Sequence, residues 1–418
     1  MSRLNVWVGG KPVGALEGPD PYVFAYHPAP PSSLAVSLTM PVRLQSWTDR
    51  ALHPIFQMNL PEGAMLIAVR QAIAKIARTD DLSLLRILGG YQIGRNRFIP
   101  PDEKPPSPAV SPELLDDILK YPDTEELFRD LIGRFLLRSG VSGVQPKVLI
   151  DARDRATFRS SSYVVKSWGA DFPQLAANEY FCMTAARRAG LPTPEFHLSD
   201  NGRLFVMERF DIVENMGAAP LLCPENRGAA PIFSDLGFED MCVLQGLGAD
   251  EKYNSTYERI ARTIDRYVSP QHRDEAMKTF FKSLVLSVAV RNGDAHLKNY
   301  GVLYGDPTEG DIRLAPIYDV VTTVAYIPRD IPALSLGGAK KWWGAKALHK
   351  FGVAHCGLSQ SVIREIFDQV TGAVGDTRAD VRRYSNDYPA FRETAEKMLP
   401  AWETGLEIEG RSSNFVGA

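Results

Sequence analysis

The stretch Arg291-Asn-Gly-Asp294-Ala-His296-Leu-Lys298-Asn299 gathers polar side chains directly after an apolar run. Asp294 and Asn299 have the D-x-x-x-x-N spacing that phosphoryl transfer uses. The carboxylate takes the proton of an attacking hydroxyl, and the carboxamide oxygen binds Mg²⁺. A loop that merely turns at Asn-Gly-Asp has the same letters, so the spacing alone decides little. A second carboxylate strengthens the case. Asp319, in Ala315-Pro-Ile-Tyr318-Asp319-Val320, follows a strand-like run downstream and suits the next hard oxygen ligand of Mg²⁺. Standing alone, it would read as an Asp capping a turn.

The phosphates themselves need cations. Lys166 closes the run Tyr163-Val-Val-Lys166, and Glu179 follows on the next helical segment. A strand lysine with a helix glutamate is the pair that clamps α/β-phosphates, against the plainer reading of a surface Lys and a solvated Glu. Gly140 and Gly143 with Lys147 make a small glycine-rich loop before a strand, where backbone N–H groups can approach phosphate. A hairpin turn is its plainer reading. The spacing is neither G-x-G-x-x-G nor a Walker A motif, which sets P-loop NTPases and Rossmann enzymes aside. His27, His53, His197 and His272 lack partners at ligand spacing, and His296 is expected to orient its loop or touch nucleotide. The basic, aromatic Lys340-Lys-Trp-Trp343, with Lys346 and Lys350, is expected to be a solvated loop rather than a nucleic-acid contact.

These groups need a scaffold. Val6-Trp7-Val8, Gly9-Gly10 and Val13 to Leu16 read as a hairpin, and Met65 to Ala77 as an amphipathic helix. The proline-rich run from Pro100 to Pro108 reads as a linker. Beyond it come a helix around Thr124 to Leu137, strands at Val148 to Ile150 and Ser162 to Lys166, a helix from Gln174 to Ala189 and a strand from Arg203 to Arg209. From about residue 235 the pattern is mainly helical, with a capping box at Ser255-Thr-Tyr-Glu258 and a buried helix from Arg273 to Ala289. We therefore expect an α+β, two-lobed, protein-kinase-like fold with a small N-terminal α+β subdomain (1–104), a phosphate-binding lobe (105–235) and a helical catalytic lobe (236–418). A net charge of −3 gives no global reason to expect nucleic-acid or membrane binding. Cys182, Cys223, Cys242 and Cys356 lie far apart, against a zinc or disulfide framework and for a reducing compartment. With no apolar leader or spanning stretch, the cytoplasm is the expected location.

Ser142-Gly-Val-Gln-Pro-Lys147, Asn292-Gly-Asp-Ala-His-Leu-Lys-Asn299 and Tyr318-Asp319 resemble the signature motifs of HipA-type kinase toxins. Met207-Glu-Arg-Phe-Asp211, Glu239-Asp-Met-Cys-Val-Leu-Gln245, the Val-Trp-Val hairpin and Gly89-Gly90-Tyr91 extend the resemblance over nearly the whole chain. The resemblance implies a serine/threonine protein kinase using ATP and Mg²⁺, with Asp294 as base and Asn299 and Asp319 as metal ligands. By the same resemblance, Ser142, Gly143, Val144, Gln145, Lys147 and Lys166 cradle phosphates. Glu208, Arg209 and Phe210 meet adenine through backbone groups, and His296, Lys298, Asn299 and Tyr318 complete the nucleotide site. The implied partners are a helix-turn-helix antitoxin of HipB type and a protein substrate such as an aminoacyl-tRNA synthetase, with DNA reached through the antitoxin. Gly140 stands where some members carry an autophosphorylated serine, which leaves Ser142 as the candidate and Ser139 as the fallback. No clear basic match for the DNA-touching residues of some relatives lies near Cys356 to Ser359. A small-molecule phosphotransferase and a catalytically silent co-repressor scaffold are the rival readings.

Overall fold

Leu4, Val6 and Val8 alternate inward along the first strand, β1 (Ser2–Val8), and Gly9-Gly10 turns the chain back into β2 (Lys11–Gly18). Both glycines have positive φ, +55° and +75°, as a two-residue hairpin loop requires. With β3 (Tyr22–Tyr26), β4 (Trp47–Asp49) and β5 (Asn96–Ile99) they form an antiparallel sheet in the order β4-β3-β2-β1-β5. This is a computed structural model describing residues 2–28, 30–63, 66–67, 69–70, 80–106, 113–122, 127, 130, 147–153, 160–215 and 232–407. Helices α1 (Pro54–Gln57) and α2 (Asp81–Leu88) cover the sheet, the latter capped by the Asp80 carboxylate on the Ser83 N–H. A five-stranded module buries little by itself. Its core of Leu4, Val6, Phe24, Phe56, Leu85 and Phe98 is completed by Phe238, Val243 and Ala315 from much later in the chain.

The second sheet runs β6-β7-β8-β10-β9: β6 (Glu113–Leu114), β7 (Lys147–Arg153), β8 (Ser160–Lys166), β9 (Phe196–Leu198) and β10 (Phe205–Glu208). The period of two decides its chemistry. Val148, Ile150, Tyr163, Val165 and Val206 share one face with Leu115 and Ile118 of α3 (Leu115–Leu119). Lys147, Leu149, Val164 and Lys166 therefore line the opposite face, with Lys147 paired to Lys166 and Leu149 to Val164 in antiparallel register. A ribbon, β11 (Ile212–Asn215) with β12 (Ile232–Asp235), leads into the last lobe.

That lobe is mainly helical: α4 (Leu175–Arg188) packs on it from between the strands, followed by α5 (Met241–Gln245), α6 (Tyr257–Tyr267), α7 (Pro270–Ala289), α8 (Ala345–Cys356), α9 (Gln360–Asp387) and α10 (Arg392–Leu406). A small sheet, β13 (Gly237–Asp240), β14 (Gly301–Tyr304) and β15 (Arg313–Leu314), flanks the cleft. The second half of α7 is buried almost throughout, from Phe280 to Ala289.

Two expectations change. The cap of α6 is Thr256, whose hydroxyl accepts from the Arg259 N–H, so the box at Ser255 and Glu258 does not form. Trp342 and Trp343 are not a solvated loop. Trp343 is buried against Tyr257, and Trp342 donates to the Asp330 carbonyl beneath the Arg291 guanidinium. The helices expected at 65–77 and 124–137 and the loop at 139–146 lie wholly or largely outside the described residues. No helix among the described residues is long and apolar enough to cross a membrane.

Candidate active site

Two lysines face each other across β7 and β8, and carboxylates answer them. The Lys166 ammonium donates to Glu179 Oε1 at 2.5 Å and to Asp319 Oδ1 at 2.9 Å. Burial works against that charge, but Asp319 and Glu179 outweigh it and hold the ammonium above its ordinary range. Asp319 is only partly buried, and Lys166 and Lys147 keep its carboxyl well below the usual carboxylate range. Glu179 is fully buried on α4. Burial pushes its carboxyl up to about 7 against the pull of Lys166, and its Oε2 has no partner among the described residues. Burial, then Lys166, brings the Lys147 ammonium down to about 8.

The polar loop is launched where α7 ends. Arg291 takes φ +55°, rare for a side-chain-bearing residue, and its guanidinium donates to the Thr404 carbonyl at 2.9 Å. The Gly293 N–H donates to Thr323 Oγ1, and a β-carbon there would sit 1.9 Å from Asp330 Oδ2, so a larger residue requires the Asp330 and Thr323 side chains to shift. Asp294 follows with its side chain 51 % exposed, accepting from the Tyr253 hydroxyl at 2.8 Å. His296 is buried, with Nε2 3.9 Å from Asp294 Oδ1. Burial lowers its pKa and keeps the ring neutral, and its Nδ1 is unpartnered among the described residues. Asn299 closes the loop. Its Oδ1 accepts from the His296 N–H at 2.9 Å, and its Nδ2 donates to Asp319 Oδ2 at 3.3 Å. Asp319 itself has φ +60°, a conformation costing about 1 kcal/mol or more that persists where surroundings fix it.

One cleft of about 700 Å³ collects these groups. Lys147, Lys166, Arg209, Phe210, Asp294, His296, Lys298, Asn299, Tyr318 and Asp319 all line it. Phe210 and Tyr318 stack with centroids 5.1 Å apart and make an apolar wall. Three expected contacts differ in detail. Glu208 is not among the lining residues, and the Glu208 and Arg209 N–H groups already donate to the Glu195 and Ser162 carbonyls. The Arg209 guanidinium is engaged by Asp211. The Lys298 ammonium is turned to Glu62 at 2.9 Å and the Met58 carbonyl at 2.9 Å, and so reaches the N-terminal subdomain. Ser142, Gly143, Val144 and Gln145 lie outside the described residues.

The sequence reading missed Glu62, Asn178 and Tyr253. Glu62 bridges Lys298 and Lys252, the latter at 2.7 Å. Asn178, beside Glu179 and fully buried, receives the Thr322 N–H at 2.8 Å and donates to the Thr322 carbonyl at 3.1 Å. None belongs to a local motif. Only an asparagine beside a glutamate in an otherwise apolar helix face hinted at a buried role.

Residues 139–377 match the family profile of the HipA-like C-terminal domain, and residues 4–98 that of the HipA N-terminal domain. Among curated proteins, "Putative kinase Y4mE" of Sinorhizobium fredii is 30 % identical over 345 residues, covering 77 % of this chain and 78 % of that protein. "Putative kinase Y4dM" of the same organism is 27 % identical, covering 85 % and 77 %. Among solved structures, the Shewanella oneidensis HipA, in a complex with HipB and its operator DNA, superposes with a TM-score of 0.67 at 17 % identity, covering 96 % of this chain and 97 % of that one. The two-lobed α+β, kinase-like fold is thus shared end to end.

Proposed function

The chain belongs to the HipA family, and from that premise we propose that it is an ATP-dependent serine/threonine protein kinase, the toxin of a toxin–antitoxin pair. The observation that carries the reading is the convergence of Lys166, Glu179, Asn299 and Asp319 at one end of a cleft, with the half-exposed Asp294 carboxylate beyond them. A scaffold that had given up catalysis would have no need to keep this set.

The residues fit a polyphosphate with Mg²⁺. Asp319 is held ionised, and the orphaned Glu179 Oε2 stands in the same buried cluster. Mg²⁺ takes hard oxygen ligands and, when bound, would neutralise phosphate charge from the Asp319 carboxylate and Asn299. Asn299 presents its N–H₂ to Asp319 here, so its role as a ligand requires the amide to turn. Lys166, fixed by Glu179, and Lys147 supply positive charge to phosphate oxygens, joined by backbone N–H groups of Ser142 to Gln145. Phe210 and Tyr318 offer an apolar wall to the base. In the transfer, the acceptor hydroxyl oxygen bonds to the γ-phosphorus, the bond to the ADP oxygen breaks, and the hydroxyl proton passes to Asp294. The Tyr253 hydroxyl orients that carboxylate, with the buried His296 ring 3.9 Å away.

The partner reading is a HipB-type helix-turn-helix antitoxin, supported by the shared fold with a HipA captured with HipB. An aminoacyl-tRNA synthetase is the proposed target, and slow autophosphorylation on Ser142, with Ser139 as fallback, the proposed self-inactivation. Asp294→Asn is the direct test. It should reduce phosphate transfer from labelled ATP at least a hundredfold while leaving nucleotide binding in place, given the roughly 10²–10⁴-fold contribution of a general base. A variant keeping more than about a tenth of wild-type kcat would remove Asp294 from the role. Expression of the chain alone should slow growth, and co-expression of the antitoxin should relieve it.

A further inference from the structure

The cleft continues past Asp294 into a region that the nucleotide reading does not use. Its lining there includes Phe172, Tyr253, Ile327 and Ile331, all between 39 and 50 % exposed. Soluble proteins seldom cluster large exposed apolar side chains without a partner for them. Hydrogen bonds tie the cluster to the loop that carries Asp294. Tyr253 donates to Asp294, the Tyr326 and Ile327 N–H groups bond the Thr323 carbonyl, and Thr323 in turn holds Gly293. Phe172 packs edge-on against Tyr326 at 5.5 Å. The Asp330 carboxylate abuts Gly293, and its Oδ1 accepts from the Ile331 N–H. Asp171 adds another carboxylate to this wall, and Lys340 also lines it, its ammonium donating to the Tyr253 carbonyl at 3.4 Å.

We propose that this wall selects the phosphoacceptor: a protein segment whose Ser or Thr has a bulky apolar neighbour and a basic residue close by. Ile327, Ile331 and Phe172 receive the apolar side chain, and Asp171 and Asp330 the cation. An enclosed pocket would suit a small metabolite. Half-exposed apolar side chains flanking a half-exposed base suit an extended segment laid across the mouth, which buries them only on arrival. The inference rests on the kinase reading and adds the class of acceptor.

The test uses the full chain, Mg²⁺ and ATP carrying a heavy-oxygen γ-phosphate, added to soluble cell protein whose own kinases have been inactivated. Mass spectrometry then maps the heavy phosphates. Sites should be enriched in Leu, Ile, Met or Phe within two residues of the acceptor, with Lys or Arg beside them. On a purified acceptor so identified, replacing the apolar neighbour by Asp should lower kcat/KM about tenfold or more, the usual scale for one hydrophobic contact in a specificity pocket. Ile327→Asp with Ile331→Asp should bring a similar loss, and the ATP-induced rise in melting temperature reports whether that variant is folded. If it is not, Ile327→Ser alone repeats the measurement. Heavy phosphate on proteins with no apolar or basic preference overturns the inference and leaves the kinase reading standing. No heavy phosphate on any protein overturns both.

Discussion

Lys147 shows how one residue's surroundings become a measurable property. It faces Lys166 in register across two strands and is buried. Its ammonium is therefore brought to about 8, against 10.5 for an ordinary lysine, by burial and then by Lys166. A polyphosphate arriving beside it favours the charged form, so its pKa in the bound state lies higher. The sign follows. Below about pH 8 Lys147 is charged before and after binding, and affinity does not depend on pH through it. Above that, binding must take up a proton, and affinity falls as pH rises from about 8 toward the bound value. Nucleotide affinity should weaken about tenfold between pH 7 and 9, measured by calorimetry at constant ionic strength. Lys147→Arg, with a guanidinium charged throughout, should remove the slope. A slope unchanged in that variant would place the titrating group elsewhere.

At the scale of elements, α4 carries Glu179 to Lys166 and is itself tied to the chain that follows Asp319. Asn178 makes two hydrogen bonds with the backbone of Thr322, whose hydroxyl receives the Trp402 N–H of α10 at 2.6 Å. Asn178→Ala would strand a buried N–H and a buried carbonyl, a loss of about 2–4 kcal/mol. Because α4 and the Asp319 segment would lose this tie and rely on the Lys166 bridge, kcat should fall about tenfold, with a smaller change in nucleotide affinity. Steady-state kinetics beside a nucleotide titration read the split; equal losses in both would reduce Asn178 to a stability residue. This clamp also marks the limit of what the chain reveals on reading. The D-x-x-x-x-N loop, Tyr318-Asp319 and Lys166 were legible because each is a local pattern tied to an element of clear period. That Lys147 and Lys166 share a face emerged only with the register of β7 against β8. Asn178 and Glu62 were not legible, since their partners lie over a hundred residues away and nothing local distinguishes them. The misplaced cap at Ser255 arose because Ser255 and Thr256 are both good caps, and tertiary packing chose between them.

The molecule as a whole is held together by polar contacts that span the N-terminal subdomain and the catalytic lobe. Arg95 is buried and donates to the Ser33, Ala35 and Gly305 carbonyls, with its guanidinium over the Tyr304 ring. Glu239, also buried, accepts from the Ser37 hydroxyl, the Leu38 N–H and the Tyr304 hydroxyl. The Gly94 N–H meets Asp211, and Glu62 reaches Lys252 and Lys298 inside the cleft. The subdomain's core also needs Phe238, Val243 and Ala315, so its folding is not separable from that of the later lobe. Calorimetry should therefore show one cooperative unfolding transition for these parts rather than an early event for the N-terminal sheet. Arg95→Ala sharpens the test. It deprives three carbonyls of their donor, a loss of about 3 kcal/mol, or about 3–4 °C for a chain of this size. The whole transition should move down by that amount and stay single, because the shared core still couples the parts. A separate low-temperature transition in the variant, with the remainder melting where the wild type does, would show that the subdomain is only an attachment. In that case Glu62 could not hold the active-site lysines cooperatively with the rest of the fold.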